Sequence, residues 1–295
     1  MDDILKIYEK RIDPAFVAEE LKKIKEESKK HHNTKTLKQI FNLLDITTLN
    51  TTDSSSTGEE LATKVTNFHN KFPNMPDVAA ICVYPTLVEV VREFLDRDNV
   101  KIASVTAGFP SSQTYLAIKA VESKMAIEKG ADEIDIVMSV GTFLEENYKE
   151  VFIEIGVIKE AVGEHHVKVI LETGALPTLD HVRIASIISM EARADFIKTS
   201  TGKITPAATP EAAYVMTEAI ADYYKKTGKK VGFKPAGGVA TVEDALLYYA
   251  IVKHNLGDDW LNNELFRIGA SRLANNILTE IVKLESGKEI KVEYF

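Results

Sequence analysis

Two lysines sit inside segments that otherwise have the make-up of buried strands. Lys198 lies in Asp195-Phe196-Ile197-Lys198-Thr199-Ser200 and Lys234 in Val231-Gly232-Phe233-Lys234-Pro235. Side chains alternate along a strand, so Phe196, Lys198 and Ser200 share one face while Ile197 and Thr199 share the other. Burying an ammonium on such a face costs several kcal/mol unless it is paired or neutralised. Taken singly, Lys198 reads as a surface lysine on an edge strand or as one end of an ion pair. Three carboxylates in further strand-like segments change that reading. Asp45 and Thr47 share a face in Leu43-Leu44-Asp45-Ile46-Thr47, Asp135 alternates with Ile134 and Ile136, and Glu172 ends a run before Thr173-Gly174. With the apolar members of each strand turned toward covering helices, Asp45, Asp135, Glu172, Lys198 and Lys234 all point into one interior.

Two lysines among carboxylates suit imine chemistry. An amine attacks a carbonyl only when it is unprotonated, and a free lysine titrates near 10.4. A second ammonium about 4 Å away, at an effective dielectric near 20, costs on the order of 4 kcal/mol. With desolvation added, that brings a lysine amine toward neutral pH. One lysine is then the nucleophile and the other its perturber and proton relay; strand spacing does not say which. A nearby aspartate, directly or through water, would move protons to and from carbinolamine and enamine. An internal ion-pair network is the purely structural alternative.

The elements that would position these residues follow a rhythm. Strand-like runs recur at 43–46, 78–84, 101–106, 133–138, 167–172, 195–199, 231–235 and 265–268. Stretches of helical periodicity fall between nearly every pair, at 58–72, 86–96, 114–129, 148–163, 179–191, 210–227 and 241–255. Strands alternating with helices imply a parallel sheet, and eight of them close into a (β/α)8 TIM barrel. A doubly wound open sheet is the competing architecture, weakened because no G-x-G-x-x-G follows the first strand. Residues 1–36 form an N-terminal helical extension, with Asp13 as a cap and Pro14 at the first helical position. Residues 37–295 form the barrel domain, entered through a short helix at 36–42.

Bulk properties bound the function. The chain has 295 residues, 45% hydrophobic and 27% charged, which suits one barrel of roughly 250 residues and not a disordered chain. A net charge of −8 and a pI of 5.5 argue against nucleic acid or an anionic membrane as partner. They leave room for a phosphorylated small molecule in a local basic pocket. The single cysteine, Cys82, cannot form an internal disulfide, fits a reducing cytoplasm, and reads as a small buried residue. No secretory leader and no apolar run of ~20 residues is visible. The histidines show no metal-binding spacing, so neither metal nor cofactor is expected.

Anion-binding signals cluster after the last strands. Gly237 and Gly238 precede a helix beginning near Thr241, where backbone N–H groups can approach a phosphate. Gly269-Ala270-Ser271-Arg272 repeats the arrangement with a hydroxyl and a guanidinium, and Thr201-Gly202-Lys203 adds a cation.

Asp195 to Lys203, together with Gly232-Phe233-Lys234-Pro235-Ala236-Gly237-Gly238, closely resembles the deoxyribose-phosphate aldolase family of class I aldolases. Leu44-Asp45-Ile46-Thr47-Thr48-Leu49-Asn50, Ala80-Ile81-Cys82-Val83-Tyr84-Pro85 and Gly130-Ala131-Asp132-Glu133-Ile134-Asp135 extend the resemblance over most of 43–271. Leu256-Gly257-Asp258-Asp259-Trp260 and Leu265-Phe266-Arg267-Ile268-Gly269 are similar to the branch with eukaryotic members. The resemblance implies reversible cleavage of 2-deoxy-D-ribose 5-phosphate to acetaldehyde and D-glyceraldehyde 3-phosphate. It implies the Schiff base on Lys198, the perturbing and relay role for Lys234 and proton transfer by Asp135. It places Asp45, with Thr47 on the same face, near the substrate hydroxyls. Thr201, Lys203, Gly237, Gly238, Gly269 and Ser271 match the phosphate side, and Arg272 stands where many relatives have a second serine. Tyr294 matches a C-terminal tyrosine that reaches the active site in some relatives. A homodimer is common in the family.

Two other functions draw on the same residues. One is a phosphosugar isomerase or epimerase barrel with Asp135 and Glu172 as acid and base. The other is a non-catalytic barrel that binds phosphosugars. Neither needs an imine.

Overall fold

Eight short strands carry the expected alternation: β1 (Leu44–Thr47), β2 (Ala80–Val83), β3 (Lys101–Thr106), β4 (Glu133–Val137), β5 (His166–Ile170), β6 (Phe196–Lys198), β7 (Gly232–Lys234) and β8 (Ile268–Ala270). A computed structural model describes the backbone of residues 1–295 and every side chain except that of Asp2. The strands are parallel, in the order β7-β6-β5-β4-β3-β2-β1-β8. The two ends of that order meet through bridges between Phe233 and Phe266 and between Ala236 and Gly269, closing a (β/α)8 TIM barrel.

Alternation explains the two layers of packing. Outward residues such as Ile134, Ile136, Val167, Val169 and Ile197 are fully buried under the helices. The inward Ala80 and Cys82 of β2 and Ala103 and Val105 of β3 form a separate apolar cluster with Leu49, with Lys101 on the same face at the start of β3. On the opposite side the interior is ionic. Phe196 fills the base of the barrel, and a Cβ at Gly232 would lie 2.3 Å from its ring, so only glycine fits there.

The covering helices are α4 (Ser55–Thr66), α5 (Phe68–Lys71), α6 (Val88–Phe94), α7 (Leu116–Glu128), α8 (Val140–Leu144) and α9 (Tyr148–Val162), then α10 (Leu179–Glu191), α11 (Pro210–Thr227), α12 (Val242–Leu256) and α13 (Leu273–Ser286). Three precede β1: α1 (Asp2–Ile7), α2 (Pro14–Ser28) and α3 (Thr34–Phe41). Local chemistry sets several starts. The Asp13 carboxylate accepts from Ala15 N ahead of Pro14, Thr178 caps α10, Thr209 caps α11 before Pro210, and Thr241 with Asp244 forms a capping box on α12. Val17, Leu21 and Ile24 of α2 are buried against α11 and α12, so the extension shares the barrel's apolar shell.

Among the element boundaries that differ from expectation, two have a clear local cause. The helix expected over 58–72 begins earlier, at the Ser54–Thr57 capping box, and breaks at Asn67. The last strand begins at Ile268 and not at Leu265, because the Leu265 and Phe266 amides turn back to the Asn262 carbonyl. The single tryptophan, Trp260, is buried beside the entry to β7, where its Nε1 donates to the Val231 carbonyl at 2.9 Å.

Candidate active site

Lys198 is the last residue of β6, Lys234 the last of β7, and the two are register partners. Both Nζ groups donate to one atom, Asp135 Oδ2 on β4, each at 2.8 Å. They therefore lie no further apart than twice that distance. Asp135 Oδ1 faces the ammonium of Lys168, from β5, at 3.2 Å. Lys234 also pairs with Asp45 on β1. These side chains are almost fully excluded from solvent.

Electrostatics follow from this packing. Burial alone would raise the Asp135 carboxyl, yet Lys168, Lys198 and Lys234 together hold it well below the usual carboxylate range. Burial works against charge on Lys234 too, but Asp135 and Asp45 outweigh it and push its ammonium above the ordinary lysine value. Asp45 is likewise held low against burial by Lys234 and Arg267. Lys234 thus stays a fixed positive charge beside Lys198.

Above this floor opens a cavity of about 400 Å³, lined by Thr47, Lys198, Thr201, Lys203, Gly237, Gly238, Gly269, Ser271 and Arg272 among others. Gly237 and Gly238 have φ of 83° and 82°, and a Cβ at Gly237 would lie 2.7 Å from Ala207 Cβ and 2.8 Å from Gly202 Cα. Only glycine lets these two loops meet. The α12 and α13 N-termini begin directly after the two glycine loops, offering N–H groups and positive dipole ends to an anion. Arg272 and Lys203 add formal charge, and Lys203 Nζ reaches across the mouth to the Leu49 carbonyl.

Most residues singled out from the sequence converge here. Asp45 is the exception in the substrate-side set: it does not line the cavity but lies fully buried beneath it, touching Lys234 and Arg267. Glu172 also stays out of the ionic cluster. It follows the end of β5 with φ of 53°, and its carboxylate accepts from Thr201 N at 3.2 Å and Thr201 Oγ1 at 2.5 Å. Its role is to brace the Thr201 loop, and it is not paired with Asp135 as an acid–base partner. Tyr294 packs among Phe68, Phe72 and Phe295 and donates to the Lys64 carbonyl at 2.7 Å, away from the cavity. Cys82 is fully buried in the interior, where burial pushes its thiol up. Lys168, Glu133 and Arg267 were missed. Their inward phase with Asp135 and Gly269 was the available signal.

The comparisons agree with this geometry. A family model described as DeoC/LacD family aldolase matches residues 40–275. Deoxyribose-phosphate aldolase of Homo sapiens is 42% identical over 275 residues, covering 88% of this chain and 85% of that one. The Bos taurus protein of the same name is 41% identical with the same coverage. The solved tetrameric deoxyribose phosphate aldolase of Aeropyrum pernix, 22% identical, shares the fold with a TM-score of 0.64 over 90% of this chain and 98% of its own. The chain belongs to the DeoC/LacD family of aldolases.

Proposed function

We propose that the protein is a class I aldolase that reversibly cleaves 2-deoxy-D-ribose 5-phosphate into acetaldehyde and D-glyceraldehyde 3-phosphate. The observation that carries this reading is the single carboxylate oxygen shared by two lysines at the floor of a cavity rimmed by glycine loops. The phosphate would rest on the Gly237–Gly238 and Gly269–Ser271 loops, with the open-chain aldehyde directed at Lys198. The free Lys198 amine adds to C1, and loss of water leaves the imine. Removal of the C3 hydroxyl proton breaks the C2–C3 bond, releases the phosphorylated aldehyde and leaves an enamine. Proton return to C2 and hydrolysis then free acetaldehyde and the amine. Asp135, touching both amines, suits the proton transfers. Lys234, held charged by two carboxylates, stands as a fixed cation beside Lys198.

Borohydride added with deoxyribose phosphate is the test. A stable mass increment on the peptide bearing Lys198 is expected, while chelators leave turnover intact. No adduct, or full activity in Lys198→Ala, overturns the reading. The acid–base isomerase alternative finds no support, since Glu172 is committed to Thr201.

A homodimer is part of the proposal. Exposed Tyr115, Ile118, Val121 and Met125 at α7, with Ile153 and Val157 on neighbouring α9, make one apolar face. Two helices about 20 Å long and about 10 Å apart span on the order of 400 Å², the size at which apolar patches mark interfaces. Light scattering should give twice the chain mass, and Val121→Glu should halve it; a monomeric parent refutes the pairing. The free, buried Cys82 supports a cytoplasmic location, and no described helix is long and apolar enough to cross a membrane.

A further inference from the structure

Beneath the catalytic pair the ionic cluster continues to the bottom of the barrel. Arg267, just before β8, donates from Nη1 to Asp45 Oδ1 at 2.9 Å and from Nη2 to Glu133 Oε1 at 2.9 Å. Its Nη1 also reaches Glu133 Oε2 at 3.2 Å. The Lys168 Nζ bridges Glu133 Oε2 at 2.5 Å and Asp135 Oδ1 at 3.2 Å. Arg267 and Glu133 are almost wholly excluded from water, and neither lines the cavity. Two chains of contact thus lead up from them, one through Lys168 to Asp135 and one through Asp45 to Lys234.

The charges in this column can be counted around the whole barrel. Asp45 comes from β1, Glu133 and Asp135 from β4, Lys168 from β5, Lys234 from β7 and Arg267 from the approach to β8. The inward residues of β2 and β3 add the apolar Ala80, Ala103 and Val105, the Cys82 thiol, kept neutral by burial, and, at the bottom edge of β3, the half-buried Lys101, which pairs with no carboxylate of the column. At the rim, the carboxylate of Glu172 is set against the cations of Lys203 and Arg272, all outside the buried column. His166 lies at the base, its Nδ1 3.6 Å from Glu133 Oε1. Three cations therefore meet three carboxylates, and Lys198 is the surplus. The buried column is neutral when Lys198 carries no proton.

We propose that Arg267 and Glu133 are positioning residues for the aldol reaction, setting the charge balance beneath Lys198 and holding Lys168 and Asp45 in place. This rests on Lys198 being the imine-forming residue. Removing the guanidinium tips the column negative and favours the protonated, unreactive amine. Removing the Glu133 charge tips it the other way. A unit charge on the order of 10 Å away, at an effective dielectric of about 20, corresponds to about one pH unit.

The experiment is the pH profile of kcat/KM for deoxyribose phosphate cleavage in Arg267→Gln, Glu133→Gln, the double variant and Arg267→Lys. Arg267→Gln should move the acid limb about one pH unit upward and Glu133→Gln about one unit downward. The double variant should return close to the parent, and Arg267→Lys should keep the parental limb. A merely structural ion pair would lower activity in both single variants without opposed shifts, and that result overturns the proposal. If Arg267→Gln fails to fold, Glu133→Gln against the double variant reads the same sign. Borohydride trapping on the parent separates the two layers: trapping at Lys198 with unmoved limbs defeats only this inference.

Discussion

Replacing Asp135 with asparagine removes the one charge that three lysines share while keeping the shape. Lys198 and Lys234 lose a partner at 2.8 Å and Lys168 one at 3.2 Å, and all three side chains are buried. Breaking a buried ion pair costs about 3–5 kcal/mol, a large part of a total of about 5–15 kcal/mol. For a chain of this size each kcal/mol lowers Tm by about 2–4 °C, so a drop of roughly 6–20 °C is expected. Lys234, whose raised value rests first on Asp135, loses that support in the variant, so the deficit should be smaller at about pH 9.5 than at about pH 7. Turnover should fall by about 10²–10⁴-fold, the usual contribution of a positioned proton-transfer group. Scanning calorimetry at both pH values and steady-state cleavage assays read these outcomes. A variant melting within about 2 °C of the parent, or losing less than about tenfold in kcat, would refute the shared-anion argument.

Other perturbations probe the remaining parts. Gly237→Ala places a methyl against Ala207 and Gly202, so KM for the phosphosugar should rise about tenfold or more while cleavage of unphosphorylated deoxyribose changes little. The depressed carboxyls of Asp45, Glu133 and Asp135 stabilise the fold fully above their ordinary values of 3.8 and 4.5. That contribution is lost as pH falls through their lower folded values; the raised Lys234 mirrors it, its stabilisation being complete below 10.5 and lost at more alkaline pH. Urea titrations across pH should show a plateau between these limits; a maximum at acid pH would contradict the assignment. Tyr294→Phe removes only the bond to the Lys64 carbonyl, so it should cost about 1 kcal/mol and leave kcat unchanged; a large fall in kcat would place the tyrosine in the reaction.

The barrel was legible because its strands are apolar on one face and its helices carry a 3.6-residue period with caps such as Asp13, Thr178 and Thr241. The lysine pair was legible from alternation alone. Glu172 was misplaced by the same rule, since β5 ends at Ile170 and the left-handed backbone at Glu172 breaks the parity. Arg267 escaped because the stretch before it turns onto Asn262, hiding where β8 begins. Lys168 and Glu133 had the correct phase, but charges at the closed end of a barrel contradict the apolar filling such interiors normally have. Asp45 shows the limit of phase arguments: alternation puts a side chain inside without telling whether it meets the cavity or another ion.

Trp260 has a spectroscopic consequence. As the one indole in the chain, it accounts for nearly all emission excited at the red edge, where tyrosine does not absorb. Its Nε1 is tethered to Val231, three residues before Lys234, and Lys230 stands 5.0 Å from its ring. Any slackening of the entry to β7 changes the polarity and the quenching that this ring experiences. Native fluorescence, with no label attached, therefore provides an optical gauge of the strand that carries the second lysine.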